Sequence, residues 1–185
     1  PVTGGRLVLE VSDGDGRVVG RAERTVPDGA APGRRLAVAL DLPGAQPWSP
    51  SRPALYTARL SLLRGATVLD RVSTRFGLRE IQIDGPRILL NGRRIFLHGY
   101  GDDSVYPETV CPPADTDVYR ARLRVAKAYG FNHVRHHSHF LPDEYYDACD
   151  EIGMLVSPEL PIAYMKYFKR ATAAARELYA REWAA

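Results

Sequence analysis

The 185-residue chain is 45% apolar and 25% charged, enough to bury a core and ordinary for a globular protein. Its pI of about 9.0 reflects a net charge of only +3, with arginines (Arg21, Arg24, Arg34, Arg35, Arg120, Arg122, Arg124) scattered among acids. That pattern excludes the clustered basic stripe of a nucleic-acid footprint, and no apolar run is long enough for a membrane span. Cys111 and Cys149 lie far apart in no C-x-x-C spacing and read as two free thiols, which leaves the compartment open. No signal peptide is apparent at the start, where the residues already read as the middle of a domain.

The first eighty residues repeat with a period of two. An alternating run at Arg6–Val11 meets turn chemistry at Asp13-Gly14-Asp15-Gly16, and Arg17–Gly20 resumes an extended course. Further strands are predicted at Arg35–Leu42, Ala54–Arg64 and Thr67–Phe76, the last two joined by a turn at Arg64-Gly65-Ala66. Pro43-Gly44-Ala45-Gln46-Pro47-Trp48-Ser49-Pro50 excludes a helix between them. Short strands with turn-rich connections describe an antiparallel sandwich of immunoglobulin type, here expected to lack a strand or two at its N-terminus.

Past residue 80 the texture changes. Ile81–Ile83 and Ile88–Leu90 flank Asp84-Gly85-Pro86, and Asn91-Gly92 is a strong hairpin turn leading into an apolar strand at Arg94–His98. Asp117–Tyr129 has helical spacing, with Gly130 as its stop. Phe131–Arg135 is a short strand, Pro142–Ile152 a helix ended by Gly153, and Met154–Val156 a third strand. An alanine-rich helix from about Tyr164 to Trp183 closes the sequence. Strands alternating with helices predict βαβ units and a parallel sheet.

Each of these three strands turns polar at its C-terminal end, where a (β/α)₈ barrel carries its active site. His98, Asp102 and Asp103 follow the first, Arg135, His136, His137 and His139 the second, and Ser157 and Glu159 the third. An open doubly wound sheet is disfavoured, because His98–Asp103 lacks the G-x-G-x-x-G phosphate turn. Three chemistries suit such a cluster: a sugar site with flanking carboxylates, a metal site built on His136, His137, His139 and Glu159, or a proton-shuttling His–Asp pair. Adjacent residues of a strand face opposite ways, which counts against His136 and His137 sharing one ion. Strand-end histidines also serve simply to hydrogen-bond loop backbone, whereas charges such as Arg135 and Glu159 need partners or substrate.

The same residues carry a family likeness. Trp48-Ser49-Pro50, Leu55-Tyr56 and Thr74-Arg75-Phe76-Gly77-Leu78-Arg79 resemble the end of the sandwich domain in glycoside hydrolase family 2. Leu89–Gly99, with Asn91-Gly92 at its head, resembles that family's "f-x-l-N-G-k-p-i-f-l-r-G". Phe131-Asn132-His133-Val134-Arg135 is similar to its "F-N-x-v-R", and Cys149–Val156 to its "c-D-e-x-G-l-x-v", with Pro158-Glu159 where it has "D-E". The likeness covers nearly the whole chain. It implies an immunoglobulin-like domain over residues 1–80 and the first three βα units of a (β/α)₈ barrel over residues 81–185. The parent would be a retaining β-glycosidase whose acid/base and nucleophile follow the fourth and seventh barrel strands, past residue 185.

On that reading Arg135, His136, His139, Asp102, Asp103 and Glu159 line the subsite for a carbohydrate substrate, and none is a catalytic residue. The likeness needs no cofactor, although in the family's galactosidases the position of Glu159 supports a metal or the acid/base, so a divalent cation near Glu159 is an expectation to test. A homo-oligomeric intact enzyme is compatible with the likeness. Two loops depart from the family. Serine stands at the histidine's place in "R-x-S-H-x-P", with His139 one later, and Gly101 replaces the asparagine of "G-x-N-x-H". The resemblance is thus to an atypical subgroup, and transfer of sugar specificity is unsafe. The fragment alone is expected to be inactive and poorly soluble, because three βα units leave an open sheet edge. The rival readings are a non-catalytic carbohydrate-binding or structural module and a metal-dependent barrel hydrolase using the histidines.

Overall fold

The computed structural model describes residues 4–29, 33, 35–160 and 173–184. It divides into two compact units, residues 1–93 and 94–185. In the first, β1 (Gly5–Ser12), β2 (Val18–Thr25), β3 (Tyr56–Arg64) and β4 (Thr67–Phe76) form an antiparallel sheet in the order β2-β1-β3-β4. The β1–β2 turn closes because the Asp13 carboxylate accepts from the amides of Asp15 (3.1 Å) and Arg17 (2.9 Å), an Asx turn. Gly65, at φ 58°, starts the tight turn from β3 to β4. Register places Leu7, Leu9 and Val11 beside Leu62, Leu60 and Ala58 on one face. On the other face Arg6, Glu23, Arg21 and Glu10 form a ladder of ion pairs at 2.9–3.6 Å. A period of two therefore sets Leu7, Leu9 and Val11 on the face opposite these ion pairs, while buried Val8 sits on the same face as the pairs.

The segment predicted as a strand at Arg35–Leu42 is not one. Its side chains do alternate in exposure, and Leu40 and Leu42 press on Gly20 so closely that a Cβ there would lie 2.6 Å from Leu42 Cδ2. It packs on β2 without a hydrogen-bond ladder, its recorded link being the Arg24 guanidinium donating to the Ala37 carbonyl. Alternation detected an extended chain half in contact with a sheet, but not a partner strand.

The motif residues of this unit meet in space. Trp48 is buried, its amide donates to Leu78 C=O (2.7 Å), and the Arg79 guanidinium lies 5.3 Å over its ring. A Cβ on Gly77 would lie 3.0 Å from Trp48 Cβ, so a larger residue there would crowd the tryptophan. Tyr56 accepts from Gln46 N (2.7 Å) and packs on Phe76 with rings 5.8 Å apart. Asn91 completes the knot: its side chain donates to Trp48 C=O (3.0 Å) and accepts from Glu80 N (2.9 Å), while its amide donates to Glu80 C=O (2.8 Å). These bonds tie the hairpin of β5 (Ile81–Asp84) and β6 (Arg87–Leu90) to the Trp48 region. The compact units accordingly part at Arg93/Arg94. Asn91 sits at φ 51°, which asparagine tolerates better than alanine. Asn91→Ala is expected to lower the unfolding free energy by about 2 kcal/mol in urea titration. Asn91→Gly should recover only the backbone part.

After Asn91-Gly92, β7 (Arg93–Ile95) is short. The second unit then runs β8 (Gly99–Asp102), α1 (Thr116–Ala128), β9 (His133–His136), α2 (Asp143–Ile152), β10 (Leu155–Ser157) and α3 (Ala173–Ala184). The part of the predicted last helix at 164–172 lies outside the described residues. Strands β8, β9 and β10 form a parallel sheet in that order. Asp115 caps α1 by accepting from Asp117 N (2.9 Å), and Gly130 (φ 86°) and Gly153 (φ 80°) end the two helices in left-handed conformations. Between the helices and the sheet lie Tyr119, Leu123, Val134, Tyr145, Ala148, Cys149 and Met154. Arg120 clamps α1 to α2 through two bonds to the Glu151 carboxylate, at 2.5 and 3.1 Å. Both cysteines are free, Cys111 exposed and Cys149 buried.

The predicted strand at Arg94–His98 requires correction: the strand that joins the parallel sheet starts at Gly99. Asn132 supplies the reason. Its side chain donates to Phe96 C=O and accepts from His98 N (both 2.9 Å), and its amide donates to His98 C=O (2.9 Å). Backbone groups that would have formed a ladder are bound by this one residue. His98 consequently precedes the strand, with its ring Nδ1 3.1 Å from Gly130 C=O, and takes no place at the polar C-terminal end.

Candidate functional site

Parallel register sorts the strand residues into two faces. Gly99 and Gly101 of β8 lie beside His133 and Arg135 of β9, which lie beside Leu155 and Ser157 of β10. On the opposite face, Tyr100 and Asp102 lie beside Val134 and His136. The second face is covered by the helices. The first carries an ion-pair cluster at the C-terminal ends.

That cluster centres on Glu159, two residues past β10. Arg135 Nε donates to its Oε1 at 2.5 Å and Ser138 N to its Oε2 at 3.0 Å. Ser138 reaches this position in a left-handed conformation, φ 59°, a strained geometry for a non-glycine residue. His137 Nδ1 lies 3.1 Å from Arg135 Nη2 and 3.5 Å from Glu159 Oε2. A guanidinium can only donate, so this Nδ1 is the acceptor and the ring proton sits on Nε2. The hydrogen bond from Arg135, then that from the Ser138 amide, hold the Glu159 carboxyl below the usual carboxylate range. Deeper on the same face, His133 Nε2 meets Ser157 Oγ at 2.8 Å, and burial lowers the His133 pKa. Its Nδ1 would lie 2.5 Å from a Cβ on Gly99, so Gly99 must be glycine.

His136 lies elsewhere. It is fully buried on the helix side of β9, its ring 4.8 Å from that of Tyr145 and stacked at 5.0 Å on His139. Burial, and then the neighbouring His139, lower its pKa to about 4, so the ring is neutral at pH 7. His139 turns its Nδ1 to His137 C=O (3.0 Å). Asp102, its side chain accepting from Ser104 N (2.7 Å), is buried beside His136, while Asp103 is exposed just after β8. Of the six predicted subsite residues, the structure thus joins Arg135 to Glu159 on one face, and sets Asp102, His136 and His139 together behind it. Sequence reading did not find Ser138 N, His133–Ser157 or Tyr145. Only Tyr145 had a signal, its helical spacing to Ala148, Cys149 and Ile152 on α2.

The cation expected near Glu159 would meet a carboxylate already paired at 2.5 Å with the Arg135 guanidinium. Among the described residues no group of three or more His, Cys, Asp or Glu side chains is placed to hold a metal ion. No helix among them is long and apolar enough to cross a membrane.

Comparisons with known proteins agree with the fold. Residues 3–79 match the family described as Glycosyl hydrolases family 2. A putative β-glucuronidase of Formosa agariphila is 34% identical over 116 residues, which are 62% of this chain and 14% of that protein. A β-galactosidase of Bacteroides ovatus is 28% identical over 178 residues, 94% of this chain and 20% of its own length. The crystal structure of a glycosyl hydrolase family 2 member from Bacteroides cellulosilyticus superposes with a TM-score of 0.75 at 26% identity, covering 86% of this chain and 21% of that one. The chain thus spans about a fifth or less of the length of these relatives. With the Trp48–Arg79 motif knot assembled as described, the match over residues 3–79 and these relatives support placing the chain with glycosyl hydrolases family 2.

Proposed function

We propose that this chain supplies part of the substrate-binding floor of a retaining β-glycosidase, without its catalytic carboxylates. In this reading β8, β9 and β10 are the first three strands of a (β/α)₈ barrel, and the antiparallel sheet belongs to an immunoglobulin-like sandwich before it. The observation that carries the reading is the Arg135–Glu159 pair on the face away from the helices, at the C-terminal strand ends. Charged, half-exposed donors and acceptors at that end of parallel strands are what a sugar hydroxyl requires. The relatives named above as a β-galactosidase and a putative β-glucuronidase support the class.

Retaining hydrolysis needs one carboxylic acid with a raised pKa and a second carboxylate on the other side of the glycosidic bond. Glu159 is held low, the opposite of a general acid, and its oxygens are engaged by Arg135 and Ser138. Asp102 is buried on the helix side. Arg135 and Glu159 are accordingly binding residues. The full polypeptide that carries this chain is expected to release p-nitrophenol from at least one aryl β-glycoside with retention at the anomeric carbon. Absence of turnover across a panel of such glycosides, or inversion, contradicts the reading.

A further inference from the structure

Arg135 and Glu159 still have hydrogen-bonding capacity to spare. A guanidinium carries five N–H donors, and here Nε is bound to Glu159 and Nη2 to His137. A carboxylate has about four lone-pair sites, and Glu159 accepts one recorded bond on each oxygen, from Arg135 and from Ser138. Both side chains are partly exposed, at 50% and 33%. A group placed against the pair therefore meets a free donor and a free acceptor side by side, on a trio whose charges cancel while His137 is neutral.

That combination discriminates between the polar groups of a sugar. A hydroxyl both donates and accepts, so it can give its hydrogen to Glu159 and receive one from Arg135. A uronate carboxylate only accepts, and it would bring a second negative charge beside Glu159. The surface next to the pair is open at Gly101, which lies beside Arg135 in register and where a Cβ would meet nothing within 4 Å. Gly101 also lacks the positive φ that would demand glycine.

Building on the glycosidase reading, we infer that Arg135 and Glu159 together grip one uncharged hydroxyl of the substrate, its ring lying over Gly101, and do not bind a uronate carboxylate. The test is kcat/KM of the full polypeptide and its Glu159→Gln variant on an aryl β-glycoside, its 2-, 3-, 4- and 6-deoxy analogues and the matching uronide. One deoxy analogue should lose about 10- to 100-fold in the parent, as a charge-assisted bond implies, and that penalty should shrink severalfold in Glu159→Gln. The uronide should improve in the variant. A set of analogues without such a penalty, a penalty unchanged by Glu159→Gln, or a uronide that worsens overturns the inference. Should Glu159→Gln not fold, Gly101→Leu decides: its side chain enters open space, so melting should hold while KM rises at least about tenfold, and an unchanged KM overturns the inference. Failure to turn over any glycoside removes the glycosidase reading itself and the hydroxyl site with it, an outcome distinct from turnover without a deoxy penalty.

Discussion

Arg135→Ala in the full polypeptide is expected to reduce kcat/KM for its β-glycoside by about 10²- to 10³-fold. On the proposed function the substitution removes the cation of the substrate floor, and it strips Glu159 of its 2.5 Å partner, so the carboxyl returns toward its ordinary pKa. Arg135→Lys should recover little, because an ammonium cannot bond Glu159 and His137 in the fixed fork that the guanidinium uses. The two partners act as a unit, so the double variant Arg135→Ala/Glu159→Gln should lose far less than the product of the single losses. Steady-state kinetics on the four proteins checks this. A loss below about fivefold for Arg135→Ala, or strict additivity, would contradict the role given to the pair.

The second large effect is on stability and has a defined sign. His136 is fully buried, and its pKa falls from an ordinary 6.5 to about 4. The folded chain therefore favours the neutral ring, and between those two values the unfolded chain binds more protons than the folded one. Stability is unaffected by this group above pH 6.5, declines as the pH drops toward 4, and has lost its full share below that. The share is on the order of 3 kcal/mol. His133, also lowered by burial, adds in the same direction. Urea unfolding of the chain between pH 7 and 5 should show the decline, and His136→Leu should flatten most of it. A parallel decline in the variant would assign the acid sensitivity to other groups.

Local chemistry made much of this fold legible. The Asp13–Gly16 turn, the Gly65 hairpin and the stops at Gly130 and Gly153 all fall where turn and cap residues placed them. What local patterns did not reveal was the destination of backbone hydrogen bonds. Arg35–Leu42 alternates like a strand yet rests on Gly20 without a ladder. The apolar run Ile95-Phe96-Leu97 reads like a strand, but Asn132 takes the Phe96 and His98 backbone groups, and pairing begins at Gly99. Such a capture depends on a residue more than thirty positions away, which no window of periodicity can contain.

The site was legible to the same extent. Strand ends located Arg135 and Glu159, and their mutual need for a partner followed from charge alone. The sequence puts Arg135 and His136 at one strand end, and the two-residue period within β9 separates them. Arg135 and His136 are neighbours in sequence and face opposite ways, one toward Glu159 and one toward Tyr145. Motifs whose meaning was only a resemblance acquired a physical one. Gly77 lies close against Trp48, and Asn91 bridges Trp48 and Glu80. The likeness of the motifs and the packing of the core thus rest on the same contacts.

The claim that matters most is the division of labour, a substrate floor without catalytic carboxylates. It is tested most directly by p-nitrophenol release from aryl β-glycosides by the purified 185-residue chain, beside the full polypeptide that carries it. The account predicts release by the full polypeptide and none above buffer by the chain. Release by the chain that Glu159→Gln abolishes would contradict it, by showing that Glu159 is a catalyst.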